Sequence, residues 1–187
     1  MRPPRALPAA HFDRNESHVI YGTGHWPVHS LPLTVTLITG VALNSLADFQ
    51  RLIPNTALEP LGVEVVSVDQ DGLTLRMLIT NAARQPFGLL HGGISLLLAE
   101  SAASMHSAWE INPEEVIPVG IEINGSHLRS ATTGHVIATA RVLRRSQALV
   151  IHSVEITHEE SGSHLCSCRV TNYFKRRSSV REVKGDS

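Results

Sequence analysis

Apolar and polar positions change their period several times along this chain of 187 residues. Residues 1–40 carry prolines, histidines and small polar residues without a steady repeat, which predicts an irregular N-terminal arm. In ALNSLADFQRLIP, Leu43, Leu46, Ala47 and Leu52 recur near helical spacing up to Pro54, predicting a short amphipathic helix. From Leu61 the pattern turns to alternation, and LGVEVVSVDQDGLTLRMLIT reads as two strands joined at Asp71–Gly72. After the connector NAARQPFGLL, the residues from His91 to about Trp109 are rich in Ala, Leu, Ser and Glu and free of proline. They predict one helix of roughly 27 Å at about 1.5 Å per residue. Four β-rich segments follow, VIPVGIEINGSHLR, GHVIATARVLRR, ALVIHSVEITHE and HLCSCRVTNYF, which brings the strands to six. The order lacks βαβ alternation, so the expected class is α+β, an antiparallel sheet with the long helix on one face. The expected domain spans 41–175, and residues 176–187 form a loose, polar C-terminal tail.

Composition narrows the function classes. A chain of this length builds a core without a metal or disulfide staple, and its 42% apolar content is ordinary for a globular domain. The formal charge of -1 gives no electrostatic reason to expect a nucleic-acid or other polyanionic partner. Cys166 and Cys168 share one face of an extended segment, an awkward geometry for a disulfide. A metal site there needs two more ligands, and the eleven histidines are scattered, so the pair reads as reduced core thiols. The N-terminus shows no secretory h-region, and the longest apolar-rich stretch, Ile94–Ala99, is far below the ~20 residues of a membrane span. A soluble, cytoplasmic protein is expected.

The stretch RQPFGLLHGGISLLLAESAAS holds the candidate chemistry. Glu100 shares a helix face with Gly93, Leu96, Leu97, Ala103 and Ser104, a poor place for a charge. A buried carboxylate of this kind makes a useful base or nucleophile; the alternative is that it reaches solvent or pairs with an arginine. His91, Gly92 and Gly93 fall where the helix begins, and free backbone N–H groups there suit a developing oxyanion, although glycines also serve tight packing. No G-x-S-x-G nucleophile elbow occurs, which sets the α/β-hydrolases aside. On one helix, His91 and Glu100 would lie about 180° apart at ~100° per residue, so they cannot easily face one substrate from one chain. A homodimer with the site at its interface resolves that conflict.

QPFGLLHGGISLLLAESAAS, with VGIEINGSHLRSATTGHV and LCSCRVT, closely resembles the hotdog-fold acyl-CoA thioesterases over about Leu43–Tyr173. The likeness is to the glutamate-type branch, which includes 4-hydroxybenzoyl-CoA thioesterase, the enterobactin proofreading thioesterase and 1,4-dihydroxy-2-naphthoyl-CoA hydrolase. The resemblance implies a central helix wrapped by a six-stranded antiparallel sheet, a homodimer with shared active sites, dimers paired into tetramers, and no metal or cofactor, CoA being part of the substrate. It implies that Gly92, helped by Gln85, polarises the thioester carbonyl and that His91 positions the acyl group or the oxyanion. Glu100 from the partner would then attack the carbonyl or activate a water. Ser104 would orient one of these, or simply bond back to its own helix. His127, Asn124, Arg129 and Ser130, in NGSHLRS, are the implied acyl and CoA contacts, against a structural role for a lone strand histidine. Arg129, Arg144, Arg145 and Arg176 are candidates for the CoA phosphates.

An aromatic or medium-chain acyl-CoA is the expected substrate, with 1,4-dihydroxy-2-naphthoyl-CoA first. Two other readings are a hotdog hydratase or dehydratase, whose Asp-x-Asn-Pro-x-His run is absent, and a non-catalytic acyl-CoA binder, which would lack the helix carboxylate.

Overall fold

The alternation of the β-rich segments is realised as one sheet. The computed structural model describes residues 42–177, so the N-terminal arm and the tail beyond Arg177 lie outside the described residues. The elements are α1 (Leu46–Gln50), β1 (Glu64–Asp69), β2 (Gly72–Leu78), α2 (Gly92–Ser107), β3 (Val116–His127), β4 (His135–Arg145), β5 (Leu149–His158) and β6 (His164–Arg176). All six strands pair antiparallel in the order β1-β2-β4-β5-β6-β3. The α+β class is as the alternation implies.

Most inward side chains of the sheet are apolar: Leu73, Leu75 and Met77 on β2, Val136, Ala138 and Ala140 on β4, Val154 and Ile156 on β5, and Cys166, Cys168 and Val170 on β6. The helix turns Ser95, Leu98, Ala99, Ala102 and Ala103 onto them. Four of these five are alanine or leucine and none is β-branched, so the helix forms readily and lies close to the sheet. Cys166 and Cys168 are free and buried, with Sγ atoms 3.5 Å apart. Burial pushes both thiols up, Cys168 to about 12, so they stay protonated.

α1 is shorter than its apolar repeat implies. Ser45 caps it through a capping box with Asp48, and only Phe49 is fully buried, stacked on Trp109 with ring centroids 6.1 Å apart. The hairpin turns at Gln70–Asp71, and Gly72 is already the first residue of β2. Asp69 Oδ1 accepts the N–H groups of Asp71 and Gly72 at 2.8 and 3.0 Å. Glycine is needed at 72 because a side chain there would overlap the Ala140 carbonyl of β4, not because the turn demands it. Among the described residues no helix is long and apolar enough to cross a membrane.

Two histidines complete the core. His106 Nδ1 and His152 Nε2 are 2.8 Å apart, and His106 Nε2 lies 3.0 Å from the Asp69 carbonyl oxygen, with both rings fully buried. One proton arrangement satisfies these contacts: His152 Nε2–H donates to His106 Nδ1, and His106 Nε2–H donates to Asp69 O. Both rings are then neutral, and His152 Nδ1 is left without a partner.

Candidate active site

The start of α2 is held before any chemistry is considered. Arg84 donates from Nε and Nη2 to the Thr132 carbonyl at 3.1 and 2.9 Å, Leu90 N–H to Ala131 O at 2.8 Å, and His91 N–H to Ala83 O at 2.9 Å. The Arg84 and Leu90 bonds tie the connector to the loop after β3, and the His91 bond closes the connector on itself at the start of α2. Gln85 opens a turn closed by Gly88 N–H on Gln85 O, with Gly88 at φ +83. The Gln85 side-chain oxygen accepts from Phe87 N–H, which leaves its amide nitrogen free to donate.

His91 is the N-cap of α2 and not a helical residue. The 180° separation computed for one continuous helix therefore does not apply. Its Nδ1 accepts from Gly93 N–H at 2.8 Å, so the neutral ring carries its proton on Nε2 and presents a donor outward. Of the two glycine amides expected to be open, Gly93 is thus taken, while Gly92 N–H has no acceptor among the described residues. His127 reaches the same place from β3. A methyl group added at Gly92 would lie 2.8 Å from His127 Nε2, so the imidazole rests on the bare Gly92 backbone. Gly92→Ala should keep or slightly raise the melting temperature, since alanine is worth roughly 0.5–1 kcal/mol more than glycine within a helix. It should lower turnover at least tenfold by displacing the ring. A large loss of stability would instead mark Gly92 as a packing residue.

Glu100 does not lie buried in the single chain; it is exposed. The face α2 presents to the sheet is centred on Leu98, Ala99, Ala102 and Ala103, and Glu100 is rotated away from it. It forms no ion pair among the described residues, so of the two alternatives to burial the single chain shows the one in which Glu100 reaches solvent and not the arginine pair. A side chain at Gly120 of β3 would meet Glu100 Oε1 at 2.7 Å, so that glycine makes room for the carboxylate. Beside it, Asn172 of β6 donates from Nδ2 to Ser104 Oγ at 2.8 Å. Gly120 and Asn172 were not singled out from the sequence. Asn172 follows Cys166, Cys168 and Val170 at the inward positions of β6, and this polar break in an apolar register is the signal that marks it.

The remaining candidates divide. Arg129 and Ser130 line a cavity of about 220 Å³ with Thr132 and His158, next to the connector. Asn124 pairs with Arg169 and contacts Glu122, which itself accepts from Thr171. These residues alternate with the inward Ile123 and Gly125, so Asn124 points to the face of the sheet away from α2 and not into the site. Arg145 Nη2 donates to His106 O at 3.3 Å and its guanidinium lies 5.6 Å from the Phe174 ring centroid. It therefore serves the C-terminal end of α2, about 21 Å from Gly92 at ~1.5 Å per residue, and Arg144 precedes it on β4, paired with Ile151.

Along α2, Gly92 and Glu100 are about 12 Å apart at ~1.5 Å per residue, too far for both to touch one carbonyl carbon. β3 is an edge strand of 12 residues with Val119 and Ile121 exposed, 38% and 59%. Such an edge offers unpaired backbone groups to another strand.

Comparison with known proteins agrees with this architecture. Residues 87–163 match the family model described as the thioesterase superfamily. A 1,4-dihydroxy-2-naphthoyl-CoA hydrolase of Listeria monocytogenes is 39% identical over 119 residues, covering 64% of this chain and 95% of the relative. A proofreading thioesterase of Klebsiella pneumoniae is 34% identical over 136 residues, covering 71% and 91%. Among solved structures, a thioesterase of Pseudomonas aeruginosa superposes with a TM-score of 0.68 at 30% identity, over 71% of this chain and 95% of that one. With its helix laid across a six-stranded antiparallel sheet and these relatives matched over nearly their whole length, the chain belongs to the thioesterase superfamily and is a thioester hydrolase of the hotdog fold.

Proposed function

We propose that this enzyme hydrolyses an aromatic acyl-CoA to the free acid and CoA, at a site that two copies of the chain build together. The observation that carries the reading is the separation of the donors at the start of α2 from the carboxylate in its middle, with an open edge strand beside them. Two subunits joined along β3 bring the Gly92 amide and His91 of one copy opposite Glu100 of the other. The thioester oxygen then takes hydrogen bonds from Gly92 N–H and from His91 or Gln85, which stabilise the charge that develops as the carbonyl is attacked. Glu100 either attacks the carbonyl carbon, expelling CoA thiolate and leaving an anhydride for water to open, or removes a proton from the water that attacks. Both routes use only groups of the protein and require no metal. Pairing of dimers into tetramers, and a cytoplasmic place of action, go with the same reading.

The acyl group is inferred from the relatives. The Listeria monocytogenes protein and one from Escherichia coli, 36% identical over 111 residues, are both named as 1,4-dihydroxy-2-naphthoyl-CoA hydrolases. That thioester is the first to test, followed by benzoyl-type and medium-chain CoA esters. Thiol release from such a panel, run beside a measurement of mass in solution, should show aromatic esters turned over fastest by a species of two or four chains. A strictly monomeric protein that turns over substrate at full rate would refute the shared site.

A further inference from the structure

We propose that Asn172 is a positioning residue for the hydrolytic step, acting through Ser104 to aim a hydroxyl at the Glu100 carboxylate or at the water beside it. The inference rests on the thioesterase reading of Glu100 and names a residue which that reading does not use.

Asn172 lies on β6 between Gly120 of β3 and Val150 of β5, at an inward position, and is fully buried. Every other inward residue of that strand from Cys166 to Val170 is apolar or a protonated thiol. Its amide is only half satisfied: Nδ2 donates to Ser104 Oγ at 2.8 Å, while Oδ1 is buried without a partner. A residue retained only for packing has no reason to carry an orphaned acceptor into a core, where an apolar side chain of similar size avoids the desolvation penalty.

A serine within a helix can spend its proton on the carbonyl four residues back, as Ser107 does in this same helix, with Oγ 2.7 Å from Ala103 O. Ser104 makes no such bond to the Glu100 carbonyl among the described residues and instead accepts from Asn172. Accepting a hydrogen bond uses one lone pair and leaves the Ser104 O–H free to donate. Ser104 follows Glu100 by one helical turn on the same face. The point above Gly120 fixes the arrangement: a methyl group there would lie 2.7 Å from Glu100 Oε1 and 3.8 Å from Asn172 Nδ2. Carboxylate, amide and serine thus converge over one bare stretch of β3. A free O–H at that place stabilises a charged carboxylate or orients a water toward the thioester carbon.

The test is a double-mutant cycle on the assembled enzyme with its best acyl-CoA, using Asn172→Ala and Asn172→Asp, each in the Ser104 and Ser104→Ala backgrounds. Asn172→Ala should lower kcat about tenfold with KM changed less than twofold, and in the Ser104→Ala background it should cause no further fall. Asn172→Asp, isosteric but with a second carboxyl beside Glu100, should also move the acid limb of the kcat–pH profile to higher pH. Equal losses in both serine backgrounds, wild-type kcat in either variant, or failure of both variants to fold would make Asn172 merely structural and overturn the proposal. If the parent enzyme releases no thiol at all, the function itself falls and this role with it. If the parent is active and Glu100→Ala is not, while Asn172→Ala matches the parent, only the role of Asn172 falls.

Discussion

Replacing Glu100 by alanine is expected to cut thiol release by about three orders of magnitude, the scale of removing a positioned general base or nucleophile. The chain should still fold and assemble. Glu100 is exposed and forms no ion pair among the described residues, so its loss removes neither core packing nor a charge partner. Glu100→Gln should be as inactive as the alanine variant while still binding substrate, because it keeps the shape over Gly120 and loses only the basic oxygen. The measurement is kcat and KM with the preferred acyl-CoA, beside the melting temperature and the mass in solution. A variant that turns over as fast as the parent, or a parent that releases no thiol from any ester, would leave acyl-CoA binding without hydrolysis as the leading reading. Water carrying heavy oxygen separates the two roles of Glu100, since only nucleophilic attack by the carboxylate can place label in the protein during a single turnover.

Acidification from pH 6.5 to 5 is expected to cost the fold about 2 kcal/mol through the buried histidine pair alone. Burial pushes His152 down to about 3, and the neighbouring His106 and the Arg145 guanidinium push it the same way. His106 is lowered as well, chiefly by burial and also by Arg145, against the opposing pull of the Asp69 carbonyl and the Asp69 and Asp71 charges. In the unfolded chain each ring titrates near its ordinary value, so below pH 6.5 the unfolded state takes up protons that the folded state refuses. The stability the pair contributes is therefore complete above pH 6.5 and declines toward pH 3. Glu160, held at about 2 by His135, and Asp48, lowered first by the Ser45 hydroxyl, lose their contribution mainly below pH 5, where the unfolded carboxylates bind protons, and so add little to the slope above it. Chemical denaturation at several pH values between 7 and 5 checks this. A flat profile would mean that the pair accepts a proton in place, against its hydrogen-bonding pattern. His152→Leu should reduce the slope without abolishing it, since burial still lowers His106, and it leaves His106 Nδ1 without a donor.

Local pattern alone carried much of this protein. Alternation set six strands, an alanine- and leucine-rich run free of proline set one long helix, and the absence of βαβ order set an antiparallel sheet; each depends on spacings of a few residues. His91, Gly92, Glu100 and Ser104 were legible for the same reason, as they lie within one segment around one helix. Three-dimensional packing decided the rest. That Glu100 stands exposed over Gly120 depends on which side of α2 meets the sheet, and its own sequence neighbours do not say. His127 comes to Gly92 only because β3 runs back past the start of α2. Arg145 serves the far end of the helix, and Asn124 the far face of the sheet, because register within β4 and β3 assigns the directions of their side chains. Asn172, 68 residues beyond Ser104, meets it only through the pairing of β6 with β3 and β5. Spacing along a chain determines which element a residue joins, whereas strand order and helix rotation, set by burial of the whole apolar surface at once, determine what it touches.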